Sequence, residues 1–85
     1  MRFKNSAKLF ATCKTRMKEV YPMCTIKDGD VGRILGFDPT DTNHWKHGKR
    51  SIHSIYYIKQ LSSALKMDMD TIIEINYGFK IIIFM

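Results

Sequence analysis

The sequence predicts an all-α domain of five short helices, with a short C-terminal strand as an optional addition. Three observations support this fold class. Apolar residues recur every three or four positions in successive segments, which is the spacing of one buried helix face. Proline, glycine and acidic or hydroxyl residues stand at the ends of those segments, where helices begin and end. The chain has 85 residues, enough for one small domain.

The first two helices are predicted on either side of Pro22. The first runs from about Ser6 to Tyr21 and ends before this proline, which cannot continue a helix. The second begins near Asp28 as N-cap and ends at Gly36, since a glycine commonly follows the last helical residue. The inward positions are predicted to be Phe10, Cys13, Met17 and Val20 in the first helix and Val31, Ile34 and Leu35 in the second.

The third helix has the clearest start signal. Asp38 is predicted as N-cap, Pro39 occupies the first helical position, and Asp41 follows three residues after the cap. Both carboxylates then lie at the positive end of the helix dipole. The helix is predicted to run to about His47, with Gly48 closing it. Its inward positions are predicted to be Thr42 and Trp45.

The last two helices complete the predicted domain, residues 1–78. The fourth runs from about Ser54 to Lys66, and the fifth starts at Asp68 as cap and stops near Gly78. Their inward positions are predicted to be Ile55, Ile58, Leu61 and Leu65, then Ile72, Ile73 and Ile75.

An apolar tail follows at residues 79–85 and contains three consecutive isoleucines. An exposed run of this kind would be an aggregation hazard, so it is expected to be covered. Three arrangements stay open: a strand that pairs across a dimer, an extension packed on its own core, and the start of a larger domain.

The net charge, the apolar runs and the cysteines indicate which kinds of partner and which cellular compartment to expect. The formal net charge is +6, which favours a polyanionic partner but does not separate nucleic acid from an anionic membrane surface. No apolar run approaches the roughly 20 residues of a spanning helix, and the N-terminus lacks the apolar block of a signal peptide. Cys13 and Cys24 form no C-x-x-C pair and are expected to be reduced thiols in a cytoplasm.

Four polar residues of the third helix stand at i, i+3, i+4 and i+7 and therefore share one outward face: Thr40, Asn43, His44 and His47. Cations flank that face at Lys46, Lys49 and Arg50. Such a stripe can meet base edges while the cations meet phosphates. A solvated polar face explains the same spacing, and periodicity alone leaves both interpretations open.

The order of these helices resembles the helix-turn-helix of the lambda repressor and Cro family, the XRE group. The matching segment is DGDVGRILGFDPTDTNHWKHGKR, residues 28–50, and the resemblance continues through IYYIKQLSSALKMDMDTI to cover most of residues 6–77. Val31, Gly32, Gly36 and Trp45 match the family's apolar, small-residue, turn-glycine and third-helix core positions.

The resemblance implies a DNA-binding domain whose third helix lies in the major groove. It implies base reading by Thr40, Asn43, His44 and His47, and phosphate binding by Lys46, Lys49, Arg50 and Ser54. It adds backbone or minor-groove contacts from a basic arm formed by Arg2, Lys4 and Lys8. It also implies a homodimer, for which residues 79–85 are the apolar surface most in need of a partner.

Three positions depart from the family's pattern. Asp28 stands where Gln is common, and its charge would be repelled by phosphate. Gly32 replaces the usual Ala, which lowers helix propensity by roughly 1 kcal/mol. Thr42 stands where Ile or Val is usual.

The predicted function is therefore sequence-specific binding of duplex DNA by a transcriptional regulator of bacterial or phage type, a repressor that blocks polymerase access. The alternative is a helix-turn-helix fold used for protein interaction, as an antitoxin-like partner or an antirepressor. The alternative is favoured by the acids close to the third helix, which are Asp28, Asp30, Asp38 and Asp41.

No enzyme, cofactor or metal site is predicted. Nothing in the sequence resembles a nucleophile with its base. His44 and His47 are a bare i, i+3 pair, and neither they nor His53 is supported by the paired-cysteine spacing of a zinc site.

Overall fold

The computed structural model describes residues 2–78, and within that range the chain forms five α-helices and no strand. They are α1 (Lys4–Val20), α2 (Asp28–Ile34), α3 (Pro39–Lys46), α4 (Ile55–Leu65) and α5 (Met69–Tyr77). The predicted all-α fold is confirmed. The predicted strand and dimer surface at residues 79–85 lie outside the described residues. None of the helices in residues 2–78 has the length and apolar character needed to cross a bilayer.

The helix ends follow local capping chemistry. In α3, the Asp38 carboxylate accepts the backbone N–H of Asp41 at 2.7 Å, as predicted. In α2, the N-cap is Lys27, whose backbone N–H donates to the Asp30 carboxylate at 2.8 Å. The predicted N-cap role of Asp28 is therefore wrong. Asp30, three residues after Lys27, accepts the Lys27 backbone N–H, and Asp28 is the first residue of the helix.

The core is built around Trp45, which is fully buried. Its ring packs edge-on against Phe10 and Phe37, with centroids 5.0 and 5.9 Å apart. Its indole N–H donates to the Ser6 carbonyl at 2.8 Å, so the polar edge of the ring is also satisfied. The other buried apolar residues are Leu9, Cys13, Val31, Leu35, Ile52, Ile58, Leu61, Leu65 and Ile72.

Several burial predictions need correction. Ile55 was expected in the core but is 55% exposed at the first position of α4, whereas Ile52 in the preceding loop is buried. Leu9 and Phe37 are buried although neither was among the predicted inward positions. Only part of the side chain is buried at Met17, Val20, Ile34, Ile73 and Ile75.

A buried polar network joins the two ends of the described chain. The Ser6 hydroxyl donates to the Asn76 side-chain oxygen at 3.1 Å and accepts the Ile52 backbone N–H at 3.2 Å. The Asn76 amide N–H₂ donates in turn to the Ile52 carbonyl. The network links α1, α5 and the loop that precedes α4. It therefore fixes these three parts relative to one another.

The two cysteines are both free, with Cys13 buried and Cys24 exposed. Burial raises the pKa of the Cys13 thiol to about 12, which disfavours the reactive thiolate. We expect iodoacetamide at about pH 8 to modify only Cys24 in the native protein and both thiols after denaturation. Counting modified thiols by mass spectrometry tests this, and rapid double modification of the native protein would contradict the burial of Cys13.

Candidate nucleic-acid interface

One side of α3 is anchored in the core and the other side is exposed. Trp45 and Thr42 are buried, as predicted. The four predicted base-reading residues, Thr40, Asn43, His44 and His47, are all exposed. Their spacing places them on one face, so α3 presents a row of hydrogen-bonding side chains from a fixed backbone.

A tight turn connects α2 to α3. Only residues 35–38 lie between the two helices. Gly36 adopts a left-handed φ of 75°, and the Phe37 backbone N–H donates to the Gly32 carbonyl at 3.0 Å. Phe37 is buried beneath this turn, which therefore determines how α3 sits against α2.

α2 and α3 lie very close together at Gly32. A Cβ on this residue would lie 1.8 Å from the Thr42 hydroxyl oxygen and 2.7 Å from the Thr42 Cβ. The glycine at position 32 therefore gives the Thr42 side chain the space that it occupies. The Thr42 hydroxyl is buried and has no hydrogen-bond partner among the described residues.

The predicted phosphate contact Lys46 already has a partner in the protein. Its ammonium group donates to one Asp28 carboxylate oxygen at 2.7 Å, and Lys14 of α1 donates to the other oxygen at 2.7 Å. These hydrogen bonds, first from Lys14 and then from Lys46, hold the pKa of the Asp28 carboxyl below its ordinary value. Asp28 is thus not an uncompensated charge at the interface.

Arg50, another predicted phosphate contact, is packed into the protein surface. Its guanidinium lies 4.2 Å from the centre of the Phe37 ring and donates to the Asp41 carboxylate at 3.3 Å. A second, longer hydrogen bond of 3.4 Å reaches the Tyr57 hydroxyl. These contacts give Arg50 a structural role, while its predicted role in phosphate binding stays a prediction.

The remaining acids near α3 are also compensated. Asp30 forms an ion pair with Arg33 at 3.0 Å in addition to capping α2. Asp38 caps α3 through the bond to the Asp41 N–H. Each of the four acids that favoured a protein partner therefore has a cation or a backbone donor beside it, which weakens that argument.

The other two predicted phosphate contacts, Lys49 and Ser54, differ in whether their side chains already have a partner within the protein. Lys49 is exposed and forms no ion pair within the described part of the chain. The Ser54 hydroxyl accepts the Tyr56 backbone N–H at 3.1 Å as the cap of α4. Lys49 is thus the more available of the two for a phosphate.

The N-terminal arm is attached to the end of α3. The Phe3 backbone N–H donates to the Gly48 carbonyl at 2.8 Å, which brings Arg2 beside the loop that carries Lys49. Lys8 of the predicted basic arm lies elsewhere, in a cleft with Thr71 and Glu74 of α5. No local sequence pattern indicates this long-range hydrogen bond, so sequence reasoning missed the attachment.

A search for metal-binding groups and the comparisons with known proteins add two findings. Among residues 2–78, no three His, Cys, Asp or Glu side chains are grouped closely enough to hold a metal ion. No family model matches the sequence, and the comparisons with curated proteins and with solved structures found no match.

Proposed function

We propose that this protein binds duplex DNA through α3 and acts in the cytoplasm as a sequence-specific transcriptional regulator of bacterial or phage type. The main support is the contrast between the two sides of α3: Trp45 fixes the buried side, and four polar side chains occupy the exposed side. A fixed helix with such a stripe suits the major groove. The net charge of +6 favours a polyanion. Regulation is by repression, since the bound protein blocks polymerase access without any chemical step.

Asn43 and Lys49 have different roles in this proposal. The Asn43 amide both donates and accepts hydrogen bonds, which suits the major-groove edge of adenine. Thr40, His44 and His47 extend the same base-reading face. The Lys49 ammonium group forms no ion pair within residues 2–78 and binds phosphate, which gives affinity without sequence information.

Selection of bound sites from random duplex DNA, followed by a salt titration, tests the proposed function. We expect one enriched sequence, and an affinity that falls with salt by a log–log slope of about −0.9 per phosphate contact. A pool without enrichment, together with an affinity that is insensitive to salt, would refute DNA binding.

Replacing Asn43 with alanine should relax the sequence preference at about one or two base pairs and cost roughly 1–3 kcal/mol on the best site. The matched variant Lys49→Ala should weaken all duplexes about equally and reduce the salt slope by about one contact. Both side chains are exposed, so neither change should disturb the core. Repeating the site selection with each variant measures this; an unchanged site for Asn43→Ala would rule out base reading by this residue.

The proposal includes a homodimer, since two copies can read two half-sites about one DNA turn apart. Residues 79–85, the expected joining surface, lie outside the described residues. Sedimentation equilibrium decides the oligomeric state, and a monomer at concentrations well above those that saturate DNA would refute the dimer.

A protein-interaction module is the second candidate function, as an antitoxin-like partner or an antirepressor. It is favoured by two adjacent residues at the start of α4, Ile55 and Tyr56, which are 55% and 60% exposed. A protein partner would cover this apolar surface. This candidate predicts no enriched DNA sequence in the selection experiment, whereas the first candidate requires one.

A further inference from the structure

Asp28 joins three helices at the edge of the candidate interface. Its two carboxylate oxygens each accept one hydrogen bond of 2.7 Å, from Lys14 of α1 and from Lys46 of α3. The three side chains, called here the Asp28 bridge, are 31%, 36% and 44% exposed for Lys14, Asp28 and Lys46. An incoming partner can therefore reach all of them.

The Asp28 bridge adjoins the base-reading face. Asp28 and Lys46 line a cleft of about 190 Å³ whose wall also includes Asn43. A duplex that reaches Asn43 with a base edge therefore brings its phosphates close to Lys46. The bridge thus stands where the proposed DNA backbone would pass.

We propose that Asp28 lowers the affinity of this protein for DNA of any sequence. Its carboxylate forms ion pairs with two lysines, Lys14 and Lys46, that would otherwise be available to bind phosphates. This inference rests on the proposed function. Asp28 acts as an internal competitor, since a carboxylate and a phosphate offer the same kind of charged oxygen acceptor to an ammonium group.

The charges of the bridge explain the direction of the effect. One carboxylate between two ammonium groups leaves a net charge of +1 where the lysines alone would present +2. Ion pairs that are this exposed are weak, so a phosphate can displace the carboxylate from Lys46. The displaced Asp28 then lies beside the phosphate, and the repulsion between the two lowers the affinity.

The effect applies to all sequences alike, which distinguishes Asp28 from Asn43. Phosphates are present at the same spacing in every duplex and carry no direct sequence information. Removing the carboxylate should therefore tighten specific and non-specific binding by similar factors. The ratio between them, which depends on the base-reading face, should stay the same.

The experiment compares Asp28→Asn with Asp70→Asn, which removes one negative charge from an exposed position on α5. This helix packs on α1 and α4 but not on α3. For Asp28→Asn we expect the salt slope to steepen by about 0.9, equivalent to one phosphate contact, and binding to tighten up to about eightfold at about 0.1 M salt. The same factor should appear on the selected site and on a random duplex, and Asp70→Asn should leave the slope unchanged.

Lys46→Gln provides a second test, in which the same substitution is compared in the native protein and in the Asp28→Asn variant. In the native background it should weaken binding only slightly, because Lys46 is shared with Asp28. In the Asp28→Asn background the same change should cost more, because the lysine is then free to bind phosphate. Circular dichroism of each variant verifies that the helices are intact.

Retention on immobilised heparin separates failure of this inference from failure of the proposed function. Later elution of Asp28→Asn than of Asp70→Asn, without binding of either protein to duplex DNA, would refute the DNA function while supporting restraint of polyanion binding by Asp28. Equal behaviour of the two variants on DNA and on heparin would overturn the inference. Weaker binding by Asp28→Asn would also overturn it, since Asp28 would then organise the lysines for phosphate.

Discussion

Replacing Trp45 with alanine is expected to unfold the domain rather than to remove DNA binding alone. The side chain is fully buried, contacts Phe10 and Phe37 edge-on, and donates its indole N–H to the Ser6 carbonyl. Truncation of a buried tryptophan costs roughly 3–5 kcal/mol, because the cavity adds to the lost apolar burial. Native proteins are stable by about 5–15 kcal/mol, and a chain of 85 residues belongs near the lower end of that range, so a loss of this size removes a large part of the folding free energy.

Urea unfolding monitored by circular dichroism measures this effect. Trp45→Phe is the matched control, because it keeps an aromatic ring for the edge contacts and loses only the indole N–H and part of the volume. We expect Trp45→Phe to unfold cooperatively at a lower urea concentration than the native protein, and Trp45→Ala to lack a folded baseline even without urea. A Trp45→Ala variant that unfolds cooperatively with native stability, and that lacks only DNA binding, would show that the tryptophan contacts DNA instead of holding the core.

Gly32→Ala is expected to destabilise the protein, although alanine is the better helix former by roughly 0.5–1 kcal/mol. The new Cβ would lie 1.8 Å from the Thr42 hydroxyl oxygen, so α2 and α3 would have to separate. Such overpacking costs about 1–3 kcal/mol, which exceeds the gain in propensity. Because α3 carries the proposed base-reading face, the shift should also weaken the proposed DNA binding.

Gly29 provides the matched control for this prediction. It lies on the same helix, but the nearest atom to a Cβ there is the Arg33 guanidinium nitrogen at 4.0 Å. Gly29→Ala should therefore raise the thermal midpoint while Gly32→Ala lowers it. Adding Thr42→Ala to Gly32→Ala should recover part of the loss, because it removes the hydroxyl oxygen that is closest to the new Cβ. Equal stabilisation by both glycine replacements would contradict the close approach.

The parts of the fold that depend on short-range chemistry could be predicted from the sequence. Asp38 and Pro39 determine the start of α3 locally, and the three- and four-residue spacing correctly separated buried Trp45 from the exposed stripe. The burial of Ile52 and Phe37 could not be predicted in this way, because both lie in loops, where no helical period applies. Ile55 fits the period of α4 but is exposed at the first position of that helix, while Ile52 in the loop before it is buried.

The chemistry of the candidate site was predictable only in part. Exposure of Asn43 and His44 follows from the helix period, and the structure agrees. The partners of Lys46 do not follow, because Asp28 lies 18 positions away in sequence and is brought close only by the packing of α2 on α3. The same holds for Arg50, whose position over the Phe37 ring depends on the fold of the turn before α3.

The hydrogen bond between Ser6 and Asn76 connects residues 70 positions apart, and this has a consequence for the order of events during translation. The ribosome makes α1 first and α5 last among the described helices. Any nascent chain that ends before Asn76 therefore lacks the partner of Ser6 and the amide that pairs with the Ile52 carbonyl. Contacts of such long sequence separation are slow to form, because closing the chain between them costs conformational entropy. Completion of this polar network therefore waits until synthesis has passed Asn76, so α1 and the loop before α4 leave the ribosome before the hydrogen bonds that fix them to α5 exist.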